Sequence, residues 1–268
     1  MSSSSAVLSP PPALAGASWR RFRILVGAEA LSFVRIKPVL FWIILFPMAL
    51  LMLFATIFGK QHAEAGSYTL PYIYYLTPSM IVFSVMSNGI ITHTVAMVTF
   101  RRRGILRRIH TTPLPVAEFI GARVLTHTAV MLVQSLGLVA VAELVFGARY
   151  SPAQLAATLP VVVVAALLFM TMGQAIAALV KREEVAVIVG QTVNMNLMFL
   201  GGLAVPLFDF PPWLREIGSC LPSAMMARLV TVPMIGMPVD SWTVWCMVGV
   251  AIYFAASLAV AIRFFRWR

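Results

Sequence analysis

Long uncharged segments and short charged segments alternate along the chain. Six intervals between successive charged residues contain 22, 36, 19, 31, 24 and 22 uncharged residues, most of them apolar. Each interval reaches the roughly 18 to 20 residues that a helix needs to cross the hydrocarbon core of a membrane. The pattern predicts six membrane-spanning helices, at about 38–59, 71–98, 117–143, 155–180, 185–206 and 241–262.

Composition indicates the fold class. The chain has 268 residues, of which 60% are hydrophobic and 11% charged, whereas a soluble domain carries about 25% charged residues. Because lipid offers no partners for backbone N–H and C=O groups, uncharged segments of this length must be helices rather than barrel strands. We expect an all-α polytopic membrane protein with one transmembrane domain over 18–268. Residues 1–17 are rich in Ser, Pro and Ala and predict a disordered cytoplasmic tail.

A further helix is predicted ahead of the first span, over residues 18–36. Its apolar and basic residues fall on different faces when they are placed at helical spacing. An amphipathic helix of this kind lies in the membrane interface rather than across the membrane. The apolar set is Trp19, Phe22, Leu25, Val26 and Phe33, and the basic set is Arg20, Arg21, Arg23 and Arg35.

Positive charges are distributed unequally between the segments that connect the predicted spans. With the N-terminus in the cytoplasm, 16 of the 20 Lys and Arg residues lie on the cytoplasmic side. This bias predicts a multi-pass protein of the cell inner or plasma membrane with both termini in the cytoplasm. The bias also accounts for the net charge of +11, so membrane lipids, and not nucleic acid, are the expected charged partners.

The segment 207–239, between the fifth and sixth spans, is apolar and rich in proline although it is predicted to lie outside. Its charged residues divide it into pieces that are too short to cross a membrane. The helical spacing of Trp213, Leu214, Ile217 and Leu221 favours two short helices that enter the outer leaflet and return as a re-entrant hairpin. A plain hydrophobic loop is the alternative.

Arginine is most concentrated between the second and third predicted spans, where residues 101–108 contain five. Ile105, Leu106 and Ile109 fall on one side of a short helix over this stretch, and Pro113 would end that helix. A short cationic, amphipathic helix that projects from the membrane is a docking element for a partner protein. A solvated basic loop beside anionic lipid is the alternative.

Catalytic and metal-binding motifs are absent from the sequence. It has no GxxxxGK(S/T) nucleotide-binding loop, no GxSxG elbow and no HExxH pair, and its four histidines show no ligand spacing. We therefore expect neither an enzyme nor a metal site. Neutral polar residues within the spans are candidates for lining a pathway, with interhelical hydrogen bonding as the alternative role. The pathway candidates are Asn88, Gln191 and Asn194, and Asn196 cannot share a helix face with Asn194.

The order of these features resembles the ABC-2 family of ABC-transporter permeases. The loop from Arg103 to Leu114 is similar to the family's cytoplasmic coupling segment, and the stretch from Gly201 to Pro222 is similar to its extracellular hairpin. The family often has an acidic residue just before the coupling glycine, where this chain has arginine. The resemblance implies ATPase coupling through Arg103, Gly104, Leu106, Arg107, Arg108, Ile109 and Pro113. It implies an outer gate at Gly201, Gly202, Pro206, Pro212, Trp213 and Pro222.

The resemblance also implies partners and a function. A permease of this kind pairs with a second permease copy or a homologous permease, and with separate ABC ATPase subunits that bind ATP and Mg. The chain itself is expected to hold no cofactor. The implied function is ATP-driven export, as in multidrug efflux, of an amphipathic drug-like, lipid or lipid-linked substrate from the cytoplasm or inner leaflet. An ATPase-independent membrane channel or lipid-handling scaffold is the alternative.

Overall fold

The computed structural model describes residues 15–35, 41–58, 62–65, 68–105, 116–207 and 210–264. The helices are α1 (Ala15–Arg35), α2 (Phe46–Phe58), α3 (Ile73–Ser87), α4 (His93–Arg102), α5 (Val116–Phe146), α6 (Pro152–Leu179), α7 (Glu183–Leu200), α8 (Pro212–Ser219), α9 (Pro222–Ile235) and α10 (Ser241–Phe264). One π-helical turn, Phe41–Leu45, leads into α2, and another, Asn88–Thr92, joins α3 to α4. The described chain is helical, as the sequence predicts, apart from one short β-hairpin.

The hairpin connects α2 to α3. Strand β1 (His62–Ala65) pairs antiparallel with β2 (Tyr68–Pro71), and the register places Ala63 opposite Leu70. The hydropathy pattern does not predict this hairpin, because strands of four residues are too short to show a clear period.

Four described helices are long and apolar enough to cross a membrane. They are the continuous helix Ile73–Arg102, α5, α6 and α10, and the bent pair α8 and α9 becomes a fifth candidate if it forms one span. The first predicted span corresponds to a shorter apolar helix, Ile43–Phe58. The fifth corresponds to α7, which has Glu183 and Glu184 in its first turn. The described residues therefore form a helical membrane protein with four or five candidate spans.

Two helix ends differ from those that the sequence predicts. Helix α1 begins at Ala15, inside the predicted tail, and the rest of that tail, residues 1–14, lies outside the described residues. Helix α7 ends at Leu200, whereas the fifth predicted span continues to residue 206. The chain leaves the helix there because Gly202 adopts a φ of +73°, a left-handed conformation that favours glycine.

The helix Ile73–Arg102, which we call the central helix, forms the middle of the bundle. It packs against α2, α5, α6, α7 and α9. Its most apolar 18-residue stretch is 72% buried, whereas that of α10 is 17% buried. The central helix therefore supplies much of the core, and α10 is left with most of its surface available to lipid.

Glycines bring the central helix very close to α6 but not to α7. A Cβ atom on Gly89 would lie 2.7 Å from the backbone carbon of Phe169, and one on Gly173 would collide with the carbonyl oxygen of Gly89. A Cβ atom on Gly190 of α7 would lie 3.5 Å from the Cα of Ile91, an ordinary contact. The contact between the central helix and α6 therefore has no space for an added methyl group, whereas the contact with α7 can accommodate one.

Pro47 explains a hydrogen bond that joins three helices. Proline has no backbone N–H, so the carbonyl of Ile43 loses its helical donor. The side-chain amide of Gln134 in α5 donates to that carbonyl. The side-chain oxygen of Gln134 accepts a hydrogen bond from Asn88 of the central helix at 3.0 Å. The carbonyl that has no helical donor because of Pro47 is therefore hydrogen-bonded by a side chain of α5.

Helices α8 and α9 meet at an angle of 76°. Both begin with proline, at Pro212 and Pro222, where the missing N–H would have no helical partner. The two short helices predicted within 207–239 are thus present.

Candidate functional site

A cavity of about 340 Å³ lies beside the central helix, between α2, α7 and the turn Asn88–Thr92. It is lined by all three predicted pathway residues, Asn88, Gln191 and Asn194, although these come from two helices far apart in sequence. None of the described side chains that line it is charged. The remaining lining residues are Ile43, Phe46, Pro47, Phe83, Ser84, Ser87, Ile91, Thr92 and Met195.

Hydrogen bonds between helices hold the polar groups of this cavity. Ser87 donates to Oδ1 of Asn194 in α7 at 3.2 Å. Asn88 donates from Nδ2 to Gln134, and its Oδ1 has no hydrogen-bond partner among the described residues. These contacts are made where the central helix contains a π-helical turn, a feature that is frequent at functional sites.

The two asparagines of α7 point in different directions, as their spacing predicts. Asn194 is 2% exposed and lines the cavity, whereas Asn196 is exposed on another face of the helix. Gln191, one turn before Asn194, is exposed at the cavity.

The predicted gate residues divide into two groups in the structure. Those in the segment after α7, together with the first residue of α9, are buried, and they are Gly201, Gly202, Pro206 and Pro222. Pro212 and Trp213, at the start of α8, are exposed. The structure therefore buries the first group and leaves the second group on the surface.

Two hydrogen bonds connect the buried gate residues to their neighbours. The hydroxyl of Tyr75, near the start of the central helix, donates to the carbonyl of Gly202. Ser223 in the first turn of α9 donates to the carbonyl of Leu197 in α7 at 2.8 Å. The same contact leaves no space for a side chain at Gly201, because a Cβ atom there would collide with the hydroxyl of Ser223.

An ion pair ties the bent pair α8–α9 to the last helix. Arg228 of α9 donates to Oδ2 of Asp240 at 2.9 Å, and the backbone N–H of Thr243 donates to Oδ1 at 2.9 Å. Asp240 thereby caps the N-terminus of α10. The hydrogen bonds from Thr243, and then the charge of Arg228, hold the pKa of Asp240 below its usual value.

The structure describes two of the predicted coupling residues, Arg103 and Gly104. Gly104, two residues beyond the end of α4 at Arg102, has a φ of +66°, a left-handed conformation in which the helix does not continue. The other predicted coupling residues lie outside the described residues, and they are Leu106, Arg107, Arg108, Ile109 and Pro113.

The first two arginines of the basic stretch belong to α4, whereas the sequence pattern places them in the loop. Arg101 donates to the carbonyls of Ala177, at 3.1 Å, and Val180, at the C-terminal end of α6. A cation is favoured there because the carbonyl end of a helix carries partial negative charge. Nη1 of Arg102 lies 3.8 Å from Oε1 of Glu184. These contacts anchor the start of the basic stretch to the turn between α6 and α7.

A buried ionic cluster on another side of the central helix is missing from the sequence predictions. Glu29 of α1 forms an ion pair with Arg123 of α5, and its Oε1 lies 3.8 Å from Nε2 of His127. The side chains of Arg123 and His127 are 5% and 3% exposed. One signal was available in the sequence, because Glu29 lies three residues after Val26 and thus falls on the apolar face of α1.

The surroundings of Glu29 favour its ionised form. Hydrogen bonding to His127, followed by the positive charge of Arg123, holds the pKa of Glu29 below its ordinary value although burial opposes this. Because the folded-state pKa is lowered, the carboxylate stabilises the fold above the ordinary pKa, and this contribution is lost as the pH falls through the lowered value.

Histidines approach one another near this cluster but do not gather metal ligands. The rings of His93 and His127 lie 6.4 Å apart, and Nε2 of His93 is 3.0 Å from Oε1 of Gln174. No group of three or more His, Cys, Asp or Glu side chains that could hold a metal ion occurs among the described residues.

Comparison with known families decides the identity of this helical bundle. The family model described as "ABC-2 type transporter" matches residues 20–235, from α1 to the end of α9. The chain belongs to the ABC-2 type transporter family. This ABC-2 chain is also 25% identical, over 196 residues, to "Putative transport permease YvfS" of Bacillus subtilis (strain 168), a match that covers 73% of this chain and 78% of the relative.

Family membership gives the helices a common role. An ABC-2 type chain is the membrane-embedded permease of an ABC transporter, a class of transporter that works with an ATPase. The cavity, the segment after α7 and the basic stretch are therefore parts of a transport permease.

Proposed function

We propose that this chain is the permease subunit of an ATP-driven exporter and that the neutral cavity beside the central helix is part of its transport pathway. The observation that carries the proposal is the meeting of Asn88, Gln191 and Asn194 in one cavity of a transporter-family protein. Asn88 and Asn194 also join helices, through Gln134 and Ser87, so the proposal rests on the cavity that they share with Gln191.

The proposed topology has six spans with both termini in the cytoplasm. Helix Ile43–Phe58 is the first span, because the uncharged sequence continues on both sides of it, from Pro38 to Gly59. Helix α7 is the fifth span, and the bent pair α8–α9 is a re-entrant hairpin that enters the outer leaflet. The excess of Lys and Arg in alternate connecting segments supports this orientation.

The lining of the cavity supports an amphipathic substrate that is uncharged where it contacts these helices. Phe46, Phe83 and Met195 supply an apolar surface, and the asparagines supply hydrogen-bonding groups. Oδ1 of Asn88 is buried and has no partner among the described residues, and in this proposal it accepts a hydrogen bond from the substrate once the helices around the cavity separate. Drug-like compounds, lipids and lipid-linked molecules that leave the cytoplasm or inner leaflet fit this description.

A second permease copy closes the cavity in this proposal. Helices α2 and α7 flank it, and both carry exposed apolar side chains away from the bundle. A face of this kind, at the mouth of a cavity that contains polar groups, is better covered by protein than by lipid. The exposed residues are Met52, Leu53 and Ile57 on α2 and Val187, Ile188, Met195 and Phe199 on α7.

ATP binding and hydrolysis belong to a separate ABC ATPase subunit that holds ATP and Mg. We propose that this subunit docks on residues 101–113 and that its closure moves the central helix, which ends in this segment. At the other end of the central helix, Tyr75 releases the carbonyl of Gly202 when the outer gate opens.

Two aspartates in the docking segment test this proposal. Leu106→Asp with Ile109→Asp should abolish copurification of the ATPase and substrate-stimulated ATP hydrolysis in liposomes, because charge replaces the apolar side of the docking helix. The control carries two aspartates at the other end of the bundle, Arg149→Asp with Ala153→Asp, where both residues are exposed. It should keep both activities.

The outcomes separate the candidate functions. If the docking variant still binds the ATPase and retains substrate stimulation, residues 101–113 do not couple the two subunits. If the unaltered chain conducts or moves lipid without any ATPase, the chain is a channel or scaffold instead.

A further inference from the structure

The ion pair between Glu29 and Arg123 is unusual because it links the amphipathic helix α1 to a buried position near the start of the span α5. Arg123 is 5% exposed and Glu29 18% exposed, so neither charge is well hydrated. Removing two charges from water carries a penalty that their attraction seldom exceeds, and an apolar pair of similar size is often at least as stable. Stability alone therefore does not account for this pair.

The position of the pair suggests what it does. The guanidinium of Arg123 lies 4.8 Å from the ring centre of Phe100 in α4, and the ring of Phe100 lies 5.9 Å from that of Phe119 in α5. Phe100 precedes the basic stretch, and Phe119 and Arg123 follow the segment that leads out of it. Both ends of the proposed coupling segment thus meet at one cluster, and Glu29 fixes α1 to the same point.

A second contact fixes the direction of α1 along α5. With a single ion pair, α1 could rotate about that point. Nη2 of Arg21, two turns before Glu29, lies 3.7 Å from Oε1 of Glu118 in the first turn of α5. Between them, the ring of Phe22 lies 3.5 Å from the position that a Cβ atom on Gly121 would occupy. Helix α1 is thus held against α5 over about two of its own turns, at one end by a buried ion pair and at the other by a partly exposed one.

We propose that Glu29 and Arg123 are positioning residues that make α1 move together with the bases of α4 and α5 when the coupling segment is displaced. This inference rests on the proposed function, since the displacement comes from the ATPase. According to this inference, α1 moves in addition to the central helix, and the ion pair transmits the movement of α4 and α5 to α1. Neither residue contacts the substrate or ATP.

Neutralising the carboxylate tests the connection. Glu29→Gln keeps the size of the side chain but leaves Arg123 without an anion. The purified complex of this variant with its ATPase subunit should assemble and keep its basal ATP hydrolysis, whereas stimulation by substrate should fall about tenfold, a typical size for coupling between distant sites. The control Glu118→Gln, at the partly exposed contact of the same helix pair, should keep most of the stimulation.

A covalent link distinguishes a mechanical role from a general loss of packing. After Cys220 and Cys246, the cysteines of the chain, are replaced, Phe22→Cys and Gly121→Cys are added to Glu29→Gln. A short bifunctional thiol reagent that joins the two introduced thiols should restore substrate stimulation, and the uncrosslinked protein should stay uncoupled. If Glu29→Gln does not reach the membrane because Arg123 is left unpaired, Glu29→Gln combined with Arg123→Met, which removes both charges, is measured in its place.

The result that overturns this inference differs from the one that overturns the proposed function. Normal substrate stimulation in the uncrosslinked Glu29→Gln complex, or in the variant that removes both charges, or no recovery on crosslinking, shows that the ion pair does not connect α1 to the coupling segment. Absence of any ATPase partner or stimulation in the unaltered protein rejects the exporter itself.

Discussion

Two regions beside the central helix contain polar groups, and the groups are neutral in one region and charged in the other. Towards α2 and α7, the groups are neutral, border a cavity and are joined by a few hydrogen bonds such as that between Ser87 and Asn194. Near the start of α5, where α1 packs, they are ionised, buried and in direct contact, as in the pair of Glu29 and Arg123. Neutral groups can lose one partner and gain another at low cost, whereas a buried charge cannot be left unpaired. One side is suited to a passing substrate and the other to a fixed connection.

The helix contacts show a similar contrast in how tightly the central helix is packed. Gly89 and Gly173 bring it against α6 with no free space, while the contact of Gly190 with Ile91 on the side of α7 is an ordinary one. We infer that the central helix and α6 move as a unit and that α7 is the neighbour that can separate from it.

The largest effect is expected from filling the tight contact. Gly173→Ala places a methyl group against the carbonyl of Gly89 and should destabilise the protein by about 1–3 kcal/mol or more, as overpacking does. Thermal unfolding in detergent, followed by fluorescence, measures this loss.

Gly190→Ala is the matched control on the other side. Its methyl group meets Ile91 at a normal distance, and alanine favours the helix by roughly 1 kcal/mol over glycine, so the melting temperature should stay the same or rise. Equal losses in the two variants would show that the two sides are equally tight.

An intermediate effect is expected at the cavity. Asn194→Ala removes the acceptor for Ser87 and should cost about 0.6 kcal/mol, the mean for hydrogen bonds between membrane helices. It should also raise the substrate concentration that gives half-maximal stimulation of the ATPase, since Asn194 lines the proposed pathway. Asn196→Ala, two residues away on an exposed face, should alter neither quantity, and a matching shift there would remove Asn194 from the pathway.

The smallest effect is expected from the exposed ion pair of the basic stretch. Arg102 and Glu184 are 50% and 74% exposed and 3.8 Å apart, so water and salt screen them. Glu184→Gln should change the free energy of unfolding by less than about 0.5 kcal/mol. A loss of more than about 1 kcal/mol would mean that water and salt do not screen this ion pair.

The sequence predicts the parts of this molecule that follow from local patterns. Uncharged segments predict the helices, and neutral polar residues inside them predict the three residues that line the cavity. The role of Gln134 cannot be predicted from these patterns, because it depends on a carbonyl that Pro47 leaves without a donor on another helix. The ion pair of Glu29 and Arg123 cannot be predicted for a related reason. Each charge lies outside the predicted uncharged intervals, and only the packing of α1 against α5 brings the two together. The coupling and gating roles stay predictions.

The ion pair of Arg228 and Asp240 has a consequence for how the membrane protein is made. The chain emerges from the ribosome in order, so α9 is complete before α10, and Asp240 forms its ion pair with Arg228 only when α9 lies beside the start of α10. The start of α10 is therefore held by this ion pair only after α9 has packed beside it. A chain whose α8–α9 segment is misplaced keeps the cap on α10 but loses the ion pair that holds the start of this helix against α9, and it presents a poorly held final helix to the quality-control proteases of the cell.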